Sequence, residues 1–269
     1  MDKIFDLIIE SDENIEFTIK TSMLEIYNEK IQDLLDTKKQ NLQVKEDKTK
    51  GIFVADATEV YVNSSEEMKK IMVLGQSNRS VASTRMNERS SRSHSIFLIV
   101  ITQRDLTTDS SKTSKLYFVD LAGSEKIAKT NVVGKQLDEA KNINKSLTCL
   151  GIVINSLAEA KVGGHIPYRD SKLTRMLTES LGGNSMTTLV IACSMCSYND
   201  KETLGTLRFG ARAKAIKNKP KQNLEISAKE LKIMLDTAES KIIQHENTIN
   251  RLRDALKSGE TIGIDFLES

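Results

Sequence analysis

A pair of apolar runs, each abutting a polar loop, limits this chain more than any other feature. Ser95 to Ile101 is nearly continuous apolar sequence, and so is Leu116 to Val119. Runs without polar alternation suit central strands buried on both faces, and such strands belong to sheets covered by helices. Asn87-Glu88-Arg89-Ser90-Ser91-Arg92-Ser93-His94 leads into the first run. Asp120-Leu121-Ala122-Gly123-Ser124-Glu125 leaves the second.

Helix and strand signals alternate elsewhere. Residues 3–10 read as the end of a helix, and Ile15 to Tyr27 as a strand with Phe17, Ile19, Leu24 and Ile26 apolar. Ile31 to Leu35 reads as a helical turn, and residues 42–62 as short strands joined by polar turns. Ser64-Ser65-Glu66-Glu67 starts a helix, because serine caps free N–H groups and glutamates suit the positive end of the dipole. That helix is expected to end near Ser77. A long helical pattern covers Leu137 to Lys161, and a shorter one runs from Ser171 to a stop at Gly182-Gly183. Thr187 to Ser194 reads as a further buried strand, and Thr203 to Lys217 as a basic helix. The prolines, Pro167 and Pro220, mark boundaries. The alternation predicts an α/β fold with a mixed central sheet between helices.

The tail follows a different rule. Leu231, Leu235, Ala238, Ile242, His245, Ile249, Leu252 and Leu256 are spaced 4-3-4-3-4-3-4, and only His245 is polar. A docked surface helix shows a wider stripe, whereas a two-stranded coiled coil wants this narrow seam with a period of about 3.5 residues. The tail is therefore expected to dimerise through Leu231, Leu235, Ala238, Ile242, Ile249, Leu252 and Leu256, and Gly259 ends it.

Composition excludes several classes. Lys and Arg total 39 against 37 Asp and Glu, so any electrostatic function rests on local patches. No apolar run reaches the roughly 18 residues a membrane span needs, and Met1-Asp2-Lys3-Ile4-Phe5 lacks a signal-peptide core. Three cysteines fit a reducing compartment. Cys193 and Cys196 form a single C-x-x-C without a second pair or nearby histidine, which is weak ground for metal or redox chemistry. Arg212, Lys214, Lys217, Lys219 and Lys221 form a basic run, but no aromatic interleaves to stack on bases, so nucleic acid is not expected.

The two loops carry the chemistry. Asp120 ends a strand and Gly123 follows three residues later. A strand-end aspartate can meet Mg²⁺ through water, and a glycine N–H can approach a γ-phosphate without a side chain in the way. Ser90, Ser91 and Ser93 add hydroxyls able to ligate Mg²⁺ or donate to phosphate. Arg92 and Glu125 can pair across the loops, and breaking a buried pair of that kind costs about 3–5 kcal/mol, enough for a latch. No G-x-x-x-x-G-K-[ST] phosphate cradle occurs in the 269 residues.

N-x-x-S-S-R-S-H and D-L-A-G-S-E resemble the switch I and switch II signatures of kinesin motor domains. Asn142 to Leu147, His165 to Arg175, Ser180 to Asn184 and Phe209 to Lys214 resemble further stretches of that family. The neck-like segment and coiled coil resemble those of conventional kinesin, the kinesin heavy chain. The resemblance implies a P-loop NTPase-like kinesin motor fold followed by a coiled-coil helix. It implies ATP or ADP and Mg²⁺ as ligands, with Asn87, Ser90, Ser91, Ser93, Asp120 and Gly123 around the nucleotide. Ser91 would ligate Mg²⁺, Asp120 would hold it through water, and Ser90 would position the attacking water. Gly123 would sense the γ-phosphate, and Glu125 with Arg92 would relay the proton.

The same resemblance places this chain's start inside the helix after the P-loop, so the motor's first third is expected to be missing and nucleotide binding weak. It implies a microtubule-binding face at Lys126, Lys129, Lys141, Lys145, Arg169, Lys172 and Arg175. It divides the chain into a partial motor domain (1–214), a neck linker (215–227), a neck coiled coil (228–258) and a hinge or tail start (259–269). Pro220 would stiffen the linker. A cytoplasmic, microtubule-associated homodimer is implied, with light chains or cargo adaptors reached through other regions. The second reading is a microtubule-binding, dimerising relative that has lost its ATPase.

Overall fold

The computed structural model describes residues 1–47, 51–84, 92–124, 135–159 and 164–258, with side chains from 81–84 and 135–144 left aside. The elements are α1 (Asp2–Ile9), β1 (Ile15–Tyr27), β2 (Lys30–Asp33), β3 (Gln40–Leu42), β4 (Val44–Asp47), β5 (Gly51–Val54) and β6 (Val60–Tyr61). There follow α2 (Ser65–Thr84), β7 (His94–Asp105), β8 (Ser111–Asp120), α3 (Lys135–Ala158), α4 (Lys172–Met176), α5 (Asp200–Lys214), β9 (Leu224–Glu225) and α6 (Ala228–Ser258). The central sheet runs β3-β2-β1-β7-β8-β9 with β6 also on β1, and β4 and β5 form a separate pair. The α/β expectation holds.

The chain forms two compact units. The larger comprises Met1–Ser11, Thr18–Thr102 and Ser114–Asn223. Its packing follows from strand alternation. Leu24 and Ile26 of β1 join Ile96 of β7 in one cluster with Leu150 and Ile154 of α3 and Leu173 and Met176 of α4. Ile19 and Met23 of β1 point the other way, with Phe97 and Ile99 of β7, and meet Met68 of α2 beside Ile4, Phe5 and Ile8 of α1. At the start of α2, Glu67 N donates to the Ser64 hydroxyl at 3.2 Å while the Glu67 carboxylate accepts from Asn63 N at 2.8 Å, a reciprocal cap.

The smaller unit comprises Asp12–Phe17, Gln103–Thr113 and the chain from Leu224 onward. β9 pairs antiparallel with the start of β8, Lys112 opposite Leu224. Ser227 caps α6 by accepting from Glu230 N at 3.0 Å, and it also donates to the Thr108 carbonyl. The Ser110 hydroxyl accepts from Ser227 N at 2.9 Å and donates to the Glu230 carboxylate. Lys229 Nζ reaches the Thr107 carbonyl at 2.7 Å. The Ser-x-x-Glu spacing of a helix start was there in the sequence.

Four sequence expectations need correction. Ile31 to Leu35 is not helical, since Lys30–Asp33 is β2. Asn28 and Glu29 both take left-handed φ, 53° and 56°, and close a two-residue hairpin that sets Tyr27 opposite Lys30. α2 continues beyond Ser77 to Thr84. The helix from Ser171 is only Lys172–Met176, followed by hydrogen-bonded turns to Leu181. Thr187 to Ser194 is largely exposed and irregular rather than a buried strand, and it joins no described ladder.

A fifth correction concerns β8, which is not buried on both faces. Tyr117 and Val119 pack on the core, while Leu116 and Phe118 are 41% and 50% exposed. On the side away from β7, β9 pairs with the start of β8, Ser111 opposite Glu225 and Lys112 opposite Leu224.

Candidate functional site

The two loop motifs meet where β7 begins and β8 ends. Arg79 of α2, absent from the expected site, joins them. Its Nη1 donates to Asp120 Oδ2 at 2.7 Å, and its Nη2 to the Ser93 carbonyl at 3.0 Å. One guanidinium therefore holds the last residue before β7 to the last residue of β8. Asn78 Nδ2 donates to the Leu34 carbonyl at 2.7 Å, which anchors the same turn of α2 to the sheet. The sequence signal for Arg79 was its place on a helix leading into the first motif, but a single arginine there does not reveal its target.

His94 is the second junction. It is 2% exposed, and its Nδ1 accepts from Ala122 N at 2.9 Å while Nε2 lies 2.8 Å from Ser146 Oγ of α3. Burial pushes its pKa down to about 4; the Arg79 charge adds to the shift and Asp120 opposes it. The ring is thus neutral, and with Nδ1 accepting, the proton sits on Nε2 and is donated to Ser146.

Asp120 keeps its carboxylate 72% exposed despite the Arg79 bond, Gly123 is half-buried, and Arg92 is half-buried at the edge of the first loop. Ser93 Oγ is fully buried with no hydrogen-bond partner among the described residues. A buried hydroxyl left in that state fits a site that takes a polar ligand or water. An exposed carboxylate, a glycine amide and that hydroxyl on adjoining loops fit the switch side of a Mg²⁺–phosphate site. Asn87, Ser90, Ser91 and Glu125 lie outside the described residues, and the Arg92–Glu125 pairing lies there with them. Among the described residues, no group of three or more His, Cys, Asp or Glu could hold a metal by itself.

The basic candidates divide. Lys126 and Lys129 lie outside the described residues, and so does the Lys141 side chain. Lys145 is exposed on α3, and α3 packs against α4 and the turn Tyr168–Asp170 that carries Arg169. Arg169 pairs with Glu46 of β4 at 3.4 Å, Lys172 reaches Gln43 at 3.1 Å, and Arg175 is half-buried. The structure brings Lys145, Arg169, Lys172 and Arg175 onto adjoining elements.

The segment after α5 is fixed in the larger unit. Asn218 Oδ1 accepts from Gly182 N at 2.7 Å, and its Nδ2 donates to the Ser180 and Ser185 carbonyls at 3.0 and 2.8 Å. Gly182 has φ 81°, which turns its N–H toward Asn218. Lys219 N donates to the Gly183 carbonyl at 3.0 Å, and Lys221 N to Asn184 Oδ1. Pro220 falls between these inward N–H groups, where its missing donor costs nothing.

All seven seam residues expected to dimerise lie on α6, which buries none of its residues; Leu231, Leu235, Ile242, Ile249 and Leu256 are all exposed large apolar groups. Among the described residues, no helix is long and apolar enough to cross a membrane.

Known proteins match this arrangement. The family model of the kinesin motor domain matches residues 1–216. Kinesin-related protein 3 of Dictyostelium discoideum is 56% identical over 262 residues, covering 97% of this chain and 21% of that protein. Kinesin heavy chain of Syncephalastrum racemosum is 54% identical over 263 residues, covering 98% of this chain and 28% of that protein. A solved structure of a fast kinesin superposes with a TM-score of 0.77 at 56% sequence identity, over 84% of this chain and 64% of that one. The chain therefore spans between 21% and 28% of the length of these curated relatives. It belongs to the kinesin motor family, whose members are microtubule-stimulated ATPases that bind nucleotide and Mg²⁺.

Proposed function

We propose that this chain is the switch-bearing part of a microtubule motor of the conventional kinesin type, one that couples ATP hydrolysis to movement. The observation that carries the reading is Arg79, which ties Ser93 of the first loop to Asp120 of the second. Two loops held by one cation can respond together to a single anionic ligand. When bound, Mg²⁺–ATP supplies the γ-phosphoryl group whose charge both loops read.

Asp120 and Ser91 would hold the metal, the first through water, and Ser93, Asn87 and the Gly123 amide would line the phosphates. Ser90 would orient the attacking water, and Glu125 paired with Arg92 would take up its proton. The 269 residues contain no phosphate-cradling motif, so ATP binding by this chain alone is weak. Lys126, Lys129, Lys141, Lys145, Arg169, Lys172 and Arg175 would face the acidic track.

Residues 1–214 would act as the partial motor domain, 215–227 as the neck linker, 228–258 as the homodimerising coil and 259–269 as a hinge or tail start. The protein would work on microtubules in the cytoplasm. The non-catalytic reading is not favoured, since the relatives over nearly the whole chain are kinesin heavy chains.

The test is ATP turnover by the purified chain with and without microtubules, alongside pelleting. Pelleting without turnover supports the track-binding face and the need for a phosphate cradle beyond these 269 residues. Absence of pelleting refutes the track-binding face, and stimulated turnover refutes the account of the phosphate site.

A further inference from the structure

The first motif ends in His94, to which the nucleotide reading gives no task. The ring is buried at the first position of β7, so it moves with the central sheet. It touches two elements that are otherwise far apart in sequence. Its Nδ1 accepts the Ala122 amide, one residue before Gly123, at 2.9 Å. Its Nε2–H is directed to Ser146 Oγ of α3 at 2.8 Å.

An imidazole is a rigid plate, so its two nitrogens cannot move independently. A shift of α3 that carries Ser146 away must either drag the ring from Ala122 or break the Ser146 bond. Both groups are buried, and water cannot readily replace a bond that is lost there. We propose that His94 is a positioning residue that transmits displacement of α3 to the backbone of Ala122–Gly123, linking track contact to the loop that senses phosphate. The proposal rests on the reading above that α3 carries track contacts.

Exchange of the Ala122 amide reports the link directly, and it needs no nucleotide. In the free 269-residue chain, His94→Ala should speed that exchange about ten-fold, the loss of one buried hydrogen bond. His94→Asn should restore most of the protection, because its carbonyl can stand where Nδ1 stood but its short side chain cannot reach Ser146.

Microtubules are then added. Ala122 exchange in the unaltered chain should change several-fold, whereas in Ser146→Ala and His94→Asn it should change less than about two-fold. Ser146→Ala removes only one hydroxyl, so it keeps the test open should His94→Ala fold poorly. An equal microtubule response in Ser146→Ala and the unaltered chain, with pelleting intact, overturns transmission through His94 alone. Ala122 exchange unaffected by His94→Ala overturns the ring's hold on the loop. Failure of the unaltered chain to pellet overturns the track reading, and transmission with it, while leaving the free-chain comparison to decide the ring's hold.

Discussion

Arg79 satisfies two partners with one planar group, and its geometry predicts what its loss does. Its guanidinium is mostly enclosed while Asp120 is largely exposed, so solvent screens the ion pair and the carbonyl bond carries much of the value. Arg79→Ala should cost about 1–2 kcal/mol, read as a shift in the urea midpoint. Arg79→Lys should recover little, because an ammonium cannot hold both acceptors in one plane. His94 makes a second residue-level prediction, through pH. The folded ring titrates at about 4, held down by burial. The unfolded ring titrates near 6.5. Between those values the unfolded chain takes up a proton that the folded chain refuses. Stability from His94 is therefore present above about pH 6.5 and is lost as pH falls toward 4, by about 2 kcal/mol at pH 5. Urea midpoints at pH 7 and pH 5 measure it, and His94→Asn should flatten that part of the profile.

Short elements depend on distant side chains. α4 has five residues, too few to hold itself; Ser171 caps it by accepting from Leu173 N at 3.2 Å, and Glu29 of the β1–β2 turn braces that cap. The Glu29 carboxylate accepts from Ser171 Oγ and from Lys172 N, each at 2.8 Å. Glu29 does so from a left-handed backbone that glycine would prefer. Glu29→Ala should therefore cost about 1–2 kcal/mol, since it loses the two bonds that brace the Ser171 cap and keeps the strain. Glu29→Gly should cost about 1 kcal/mol less than Glu29→Ala, since relieved strain offsets part of the loss. Thermal unfolding of both variants separates brace from strain.

The same pair of elements shows what the sequence could and could not reveal. Apolar spacing exposed β1 and α3, because burial writes a period into the chain, and a continuous apolar run exposed β7. It misread β2, whose signal lay in a left-handed Asn-Glu turn rather than in its own short apolar run. It misread Thr187 to Ser194, because an apolar run states a preference for burial and not whether a partner strand is there to provide it. Near the site, local spacing singled out Ser93, Asp120 and Gly123, which the structure places on adjoining loops, whereas Ser90 and Ser91 lie outside the described residues. Arg79 and Ser146 were not legible, because they reach the site from helices and no local pattern marks their targets.

At the scale of the molecule, what the chain leaves uncovered is as informative as its core. α6 runs for 31 residues without a buried side chain, although most of its large apolar residues fall on a single seam, with Ile233, Met234 and Ile243 lying off it. A helix with such a seam in water has an incentive to find another like it, and a narrow period of about 3.5 residues selects a two-stranded coil over docking on a flat surface. Heptad positions place Ile242 and Ile249 in the same layer type, one turn pair apart, with His245 between them. Replacing both isoleucines by lysine puts two like charges into each of two facing layers, while the outer helix surface and the Ser227 cap stay as they are. The double variant Ile242→Lys/Ile249→Lys should sediment as a monomer at concentrations where the unaltered chain is a dimer. The shift in dimer dissociation should be at least about a hundred-fold, because each buried layer of this kind contributes on the order of 1–3 kcal/mol per side chain. Helix content by circular dichroism should fall in parallel, since a lone exposed helix of this composition has little to hold it. A sedimentation mass that matches the unaltered chain's would mean that the seam is not the contact, and the coiled-coil neck would have to be abandoned.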